Sequence, residues 1–288
     1  MYVATRDVML YYLKKENPWE SLKQLGVSSV EIAVDRNLRT YKFPGYEGKV
    51  FHLQESKERE SLQRRISENK VKICALLMAN NFTNKNKEEE IEWIKKVSDV
   101  ASQLNIETIR IDISAHLKNE EVKPFVNHCS NIIKEVLSST EKINLGIENH
   151  GSLTNKKEIM DALLEEVDSE KLGITLDTGN FYWWGYPLKE VYQIIEHFAP
   201  YVKHTHIKNI SYPPEKREIK REMGWRYTEY VAPIYQGDID HSRIISILRK
   251  AGYEGDITIE DESLSKFPGS QREEILKKDV KYLQKILK

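Results

Sequence analysis

The chain has 288 residues, 40% hydrophobic and 31% charged, the composition of an ordinary globular protein. Its 44 Lys and Arg balance 45 Asp and Glu, a formal net charge of −1, so the basic footprint of a nucleic-acid binder is absent. No apolar run approaches the roughly 20 residues that cross a bilayer, and MYVATRDVML lacks the basic-then-apolar pattern of a secretory leader. The two cysteines, Cys74 and Cys129, have neither metal-type nor framework spacing. They read as reduced thiols of a soluble, cytoplasmic protein.

Eight short apolar runs read as strands: 2–5, 28–34, 71–77, 106–113, 143–148, 171–177, 201–208 and 255–261. Amphipathic stretches separate them. The first, NPWESLKQLG, has Asn17 as cap, Pro18 in the first turn and Gly26 as stop. In the third, Ile91, Ile94, Val97, Ala101 and Leu104 recur at helical spacing. Others are expected near 56–69, 120–138, 155–167, 187–198, 241–251 and 270–287. Alternating strand and helix argues for a parallel sheet, since parallel neighbours need crossover connections. Eight repeats in this length give the α/β class and one (β/α)8 TIM barrel over residues 1–288. Two connections are long, 35–55 after the second strand and 209–240 after the seventh. Both leave C-terminal strand ends, where such barrels build their sites.

Residue parity then sorts the strands into faces. Val30, Ile32 and Val34 share a face, as do Ile109, Ile111 and Ile113; Ile143, Leu145 and Ile147; Leu172, Ile174 and Leu176; and Ile257 and Ile259. That apolar parity belongs against the helices. The opposite parity, pointing into the barrel, holds Glu31, Arg110, Asp112, Glu148, Asp177, His204, His206, Lys208 and Glu260. Uncompensated charge in an interior costs several kcal/mol per ion, so these groups must pair or bind a metal. Glu148, Asp177, His206 and Glu260 are the natural ligand set. Three carboxylates with one imidazole suit Mn²⁺ or Mg²⁺, with Co²⁺ or Zn²⁺ as alternatives. Salt bridges to Arg110 or Lys208 are the competing use of these carboxylates. His204, one layer deeper, reads equally as a supporting or a functional histidine, and His150 of ENHG continues the parity of Glu148.

At these residues the chain resembles the sugar phosphate isomerase/epimerase superfamily, the xylose-isomerase-like TIM barrels. The motifs are GIENHG (146–151), LDTGNF (176–181), HTHIKN (204–209) and GDIDHSRIISILRKAGYEGDITIEDE (237–262), in the family's order. The resemblance implies one divalent ion, often Mn²⁺, held by Glu148, Asp177, His206 and Glu260. It implies too that Glu148 and Glu260 move a proton on opposite faces of a ketose. Lys208 joins them as a catalytic candidate, and with Arg110 could hold an enolate or phosphate oxygen. The candidate substrate contacts are Glu31, Arg110, His150, Asn180, His204 and Arg226. Many relatives carry His where Asn180 stands, so a second metal is not expected. Relatives are often dimers or tetramers, which leaves a homo-oligomer open.

The expected activity is metal-dependent isomerisation or epimerisation of a sugar or sugar phosphate. The alternative is a lyase of the 3-dehydroshikimate or inosose dehydratase type on the same barrel. An endonuclease IV-like activity fits poorly: that enzyme needs three zinc ions and several more histidines. A non-catalytic sugar-binding barrel is opposed by the intact ligand residues.

Overall fold

The computed structural model describes residues 1–13, 15, 17–40, 50–83, 87–113, 115 and 119–288. Its main sheet has eight strands, β1 (Tyr2–Arg6), β2 (Ser29–Ala33), β3 (Lys72–Leu77), β4 (Thr108–Ile111), β5 (Asn144–Glu148), β6 (Leu172–Asp177), β7 (Val202–His206) and β8 (Asp256–Ile259). They run parallel in the order β8-β1-β2-β3-β4-β5-β6-β7. The ring closes where Ile207 N donates to Thr258 O (2.8 Å) and Glu260 N donates to Ile207 O (3.1 Å). This is a TIM barrel, as the alternation of strands and helices requires.

Among the described residues, eight helices of eight or more residues wrap it: α1 (Pro18–Leu25), α2 (Ser56–Asn69), α3 (Lys87–Gln103), α4 (Asn119–Ser139), α5 (Lys157–Val167), α6 (Leu188–Phe198), α7 (His241–Lys250) and α8 (Gly269–Leu287). Helix α1 starts and stops on its sequence signals. The Asn17 side chain accepts from Glu20 N at 2.9 Å, and Gly26 ends the helix at a left-handed φ of 70°. The apolar parity of the strands is fully buried at Ile32, Ile109, Ile111, Leu145, Ile147, Ile174, Leu176, Ile257 and Ile259. These residues join one apolar cluster with the inner stripes of the helices, including Ile94, Val97, Ile133, Leu163, Ile195 and Leu248. Each such side chain contributes about 1.5–3 kcal/mol relative to exposure.

The connection after β7 carries structure that its composition did not announce. Asn209–Ile210 pairs antiparallel with Val231–Ala232, and helical turns form at Pro214–Arg217 and Tyr227–Tyr230. Arg221 anchors the segment. Its guanidinium lies 4.4 Å from the ring centres of both Tyr182 and Tyr212 and donates to the carbonyls of Tyr182 (2.8 Å) and Tyr186 (2.9 Å). Gly185 permits that approach at φ 116°: a Cβ there would stand 2.2 Å from Arg221 O. In the connection after β2, residues 41–49 lie outside the described residues, while Arg39 and His52 bridge its two ends.

Beyond β8, Asp261 meets Asp279 of α8, both buried. Burial pushes the Asp279 carboxyl well up and Asp261 pushes it further, so Asp279 is the protonated partner. A carboxyl raised in the folded state contributes stability below its unfolded value, lost as pH rises through the folded one. Asp279→Asn is therefore expected to flatten the fall in urea midpoint as pH rises above the ordinary carboxylate range. An unchanged slope would show that this pair does not set it.

Candidate metal centre

The C-terminal strand ends bring four side chains to one point. Ligand atoms of Glu148, Asp177, His206 and Glu260, from four different strands or their ends, all lie within 4.8 Å of one another and are buried. Register explains part of this, because Asp177 and His206 are direct partners across β6 and β7. The Asp177 Oδ1 atom accepts from Gly179 N (2.8 Å) and Asn180 N (3.0 Å), leaving Oδ2 to face the centre. The backbone of Asp177 is tied to β5 through Asn149, whose Oδ1 accepts from Asp177 N at 2.7 Å.

Each glutamate has one oxygen held by an arginine and the other turned inward. Arg110 donates from Nε to Glu148 Oε2 (2.5 Å), and its second terminal nitrogen pairs with the same oxygen. Arg6 pairs with Glu260 Oε1. The remaining oxygens, Glu148 Oε1 and Glu260 Oε2, approach His206 Nδ1 at 3.1 and 3.2 Å. Lys208 Nζ lies 2.9 Å from Asp177 Oδ2, 3.0 Å from Glu260 Oε2 and 2.8 Å from Glu262 Oε1. Glu262 in turn accepts from the Tyr227 hydroxyl.

These contacts fix the charges. Burial pushes the Glu148 carboxyl up, but Arg110 and His206 outweigh it and hold the group well below the carboxylate range. Asp177 moves up instead, because burial and the nearby Glu148 outweigh Lys208. Lys208 is itself raised: burial opposes its charge, but Asp177, Glu262 and Glu148 more than compensate.

Several expected site residues lie elsewhere. Glu31 and His204 sit beneath the centre, 1% and 0% exposed, bonded to each other (His204 Nε2 to Glu31 Oε1, 3.0 Å). Glu31 also faces His206 and Arg6. His204 Nδ1 lies 2.8 Å from Asp256 Oδ2, and although burial opposes its charge the two carboxylates raise its pKa to about 10. Arg226 pairs with Glu229 on the exposed side of the loop, over the rings of Trp225 and Tyr230. A left-handed φ of 47° turns the chain there, and it is the next residue, Tyr227, that reaches the site through Glu262. His150 contacts Asp112 at 3.1 Å near the mouth, and the Asn180 amide lies 3.5 Å from Glu148 Oε1. Arg6, Asp256, Glu262 and Tyr227 are additions to the expected set. Only Asp256, on the inward parity of β8, had a signal in the strand pattern.

The donor set fits the metal that the resemblance implied. Asp177 Oδ2 and Glu260 Oε2 are buried without a well-aligned hydrogen bond, and three carboxylates beside one imidazole nitrogen suit a hard divalent cation.

The model of the xylose isomerase-like TIM barrel family matches residues 19–286, and the chain belongs to that family. Among solved structures, it is similar to the probable 3-DHS dehydratase AsbF involved in petrobactin synthesis from Bacillus anthracis, at 18% identity over 99% of each chain and a TM-score of 0.67. It is similar as well to the IOLI protein with a binding zinc atom, at 17% identity over 97% of this chain and 96% of that one, TM-score 0.68. D-allulose 3-epimerase from Methylomonas sp., in complex with D-allulose, matches at 12% identity over 99% and 96% with a TM-score of 0.67. At such identities the likeness is one of fold. No curated protein matches the sequence significantly. Among the described residues, no helix is long and apolar enough to cross a membrane.

The His150–Asp112 contact gives a direct check on the mouth of the site. The hydrogen bond to Asp112 raises the His150 pKa above 6.5 against partial burial. Its imidazole should therefore keep its proton to higher pH than a free one, and Asp112→Asn should move the NMR titration midpoint down. A midpoint that stays put would break the assignment of Asp112 as its partner.

Proposed function

We propose that the protein is a divalent-metal-dependent isomerase or epimerase of a ketose, free or phosphorylated, acting through an enediolate. The observation that carries this reading is the pair of glutamates flanking His206 Nδ1, each held by an arginine on one oxygen and turned inward on the other. Glu148, Asp177, His206 and Glu260 would hold the ion, Mn²⁺ by preference, with Mg²⁺, Co²⁺ or Zn²⁺ as substitutes. When bound, it supplies Lewis acidity at the ketose carbonyl and adjacent hydroxyl, which lowers the cost of removing the neighbouring C–H proton.

The protein's own groups do the rest. One glutamate takes the proton as a carboxylate, and the other returns a proton on the opposite side of the carbon. Arg110 keeps Glu148 ionised, as a base must be. Lys208 places a fixed positive charge where the enediolate oxygen develops, in a site that excludes most water. Asn180 and His150 stand where substrate hydroxyls can reach them. Arg226, turned outward, is the weakest of the substrate candidates. The two free, buried thiols suit a reducing, cytoplasmic setting.

Lys208 favours a second reading. Epimerisation needs no third proton donor, whereas eliminating water from a cyclic polyol or keto acid needs an acid at the leaving hydroxyl. Lys208, beside Glu260, would be that acid, and one fold neighbour is a probable dehydratase.

The test is proton NMR of the Mg²⁺-loaded protein in D₂O with ketoses, ketose phosphates, inosose and 3-dehydroshikimate. Deuterium beside the carbonyl together with a new sugar isomer supports the first reading. An olefinic signal transfers the assignment to the lyase. Glu148→Gln and Glu260→Gln should each lower turnover by about 10²–10⁴-fold with the fold intact. Full activity in either variant removes that glutamate from proton transfer.

A further inference from the structure

Below the four converging ligands, a chain of buried contacts runs down the barrel axis. His206 Nε2 faces Glu31, 3.1 Å from Oε1 and 3.0 Å from Oε2. Glu31 Oε1 meets His204 Nε2 at 3.0 Å, and His204 Nδ1 meets Asp256 Oδ2 at 2.8 Å. Asp256 is fixed at the bottom, accepting from the Thr258 hydroxyl (2.6 Å) and Thr205 N (3.2 Å). Arg6 closes the side of the chain, with Nε 3.2 Å from Glu31 Oε2 and a terminal nitrogen on Glu260. Every member except Arg6 is essentially without solvent contact.

We infer that Glu31, His204, Asp256 and Arg6 are positioning residues that hold the His206 ring so that Nδ1, and not Nε2, is presented to the metal centre. The inference rests on the reading of His206 as a ligand. An imidazole ligates through a nitrogen that carries no proton, and the partner of its other nitrogen decides which one that is. Glu31 is an acceptor on both oxygens and can only receive the proton of Nε2–H. It cannot swing away, because Arg6 and His204 grip it from two further directions. His204 is equally unable to turn, since both its nitrogens face carboxylates. With an ion bound, an unprotonated Nδ1 would point between Glu148 and Glu260.

A second cation among Glu31, His204 and His206 is the rival use of these atoms, which lie close enough together to be ligands. Arg6 argues against it: a guanidinium 3.2 Å from Glu31 already supplies the positive charge such an ion would bring.

The test uses the full chain with isotope-labelled histidine nitrogens, loaded with spin-active cadmium and read by NMR. The expected result is cadmium coupling to Nδ1 of His206, with the proton retained on Nε2; His206→Ala assigns the signal by its loss. Calorimetric titration of Cd²⁺ should then show affinity falling about 10–100-fold in Glu31→Gln and in His204→Gln. Coupling at Nε2 overturns the inference, and the wild-type spectrum alone decides this if a variant fails to fold. Coupling at Nδ1 with wild-type affinity in folded Glu31→Gln and His204→Gln also overturns it, while leaving His206 a ligand. No coupling to either nitrogen of His206 removes the ligand reading and the relay together.

Discussion

Everything in this barrel's centre follows from the cost of keeping carboxylates out of water. Glu31, Glu148, Asp177, Asp256 and Glu260 are turned into the interior and are at most 4% exposed. Each buried charge carries a desolvation penalty of several kcal/mol unless a partner meets it. The structure supplies partners from different strands: Arg6 from the first, Arg110 from the fourth, and His204, His206 and Lys208 on or just past the seventh. The result is an alternating lattice of charge with one point left rich in oxygen ligands. That point is where a hard cation fits.

The lattice is layered. At the bottom, Asp256 and His204 face each other, buried, and act as foundation. In the middle, Glu31 connects that foundation to His206. At the top, the inward oxygens of Glu148, Asp177 and Glu260 meet His206 Nδ1 and Lys208. Polarity therefore rises toward the loops, and chemistry is possible only where the pairing is incomplete.

Much of this was legible in the sequence because period-two alternation transmits burial directly. Ile109, Ile111 and Ile113 on one parity oblige Arg110 and Asp112 to take the other, and the same logic delivered Glu148, Asp177, His206 and Glu260 as neighbours. What the pattern could not deliver was depth. Glu31 and His204 share the inward parity with the ligands, but their height in the barrel depends on strand tilt and on the irregularities at Val30/Glu31 and Ile174/Thr175. Arg6 went unnoticed because the strand was read to end at Thr5, and one of its two glutamate partners is 254 residues away. In the loop after β7, one left-handed residue decides whether Arg226 or Tyr227 faces the site, and no residue periodicity encodes that.

The Arg6–Glu260 pair joins the first strand to the end of the last, and the seventh strand meets the eighth through hydrogen bonds at Ile207 and Glu260 and through Thr205 on Asp256 and Thr258. During synthesis, then, Arg6 and Glu31 leave the ribosome long before His206 and Glu260, which complete their pairing. The ligand set is complete only after the eighth strand has left the ribosome. The site is therefore built from contacts of long sequence separation, the kind that form slowly.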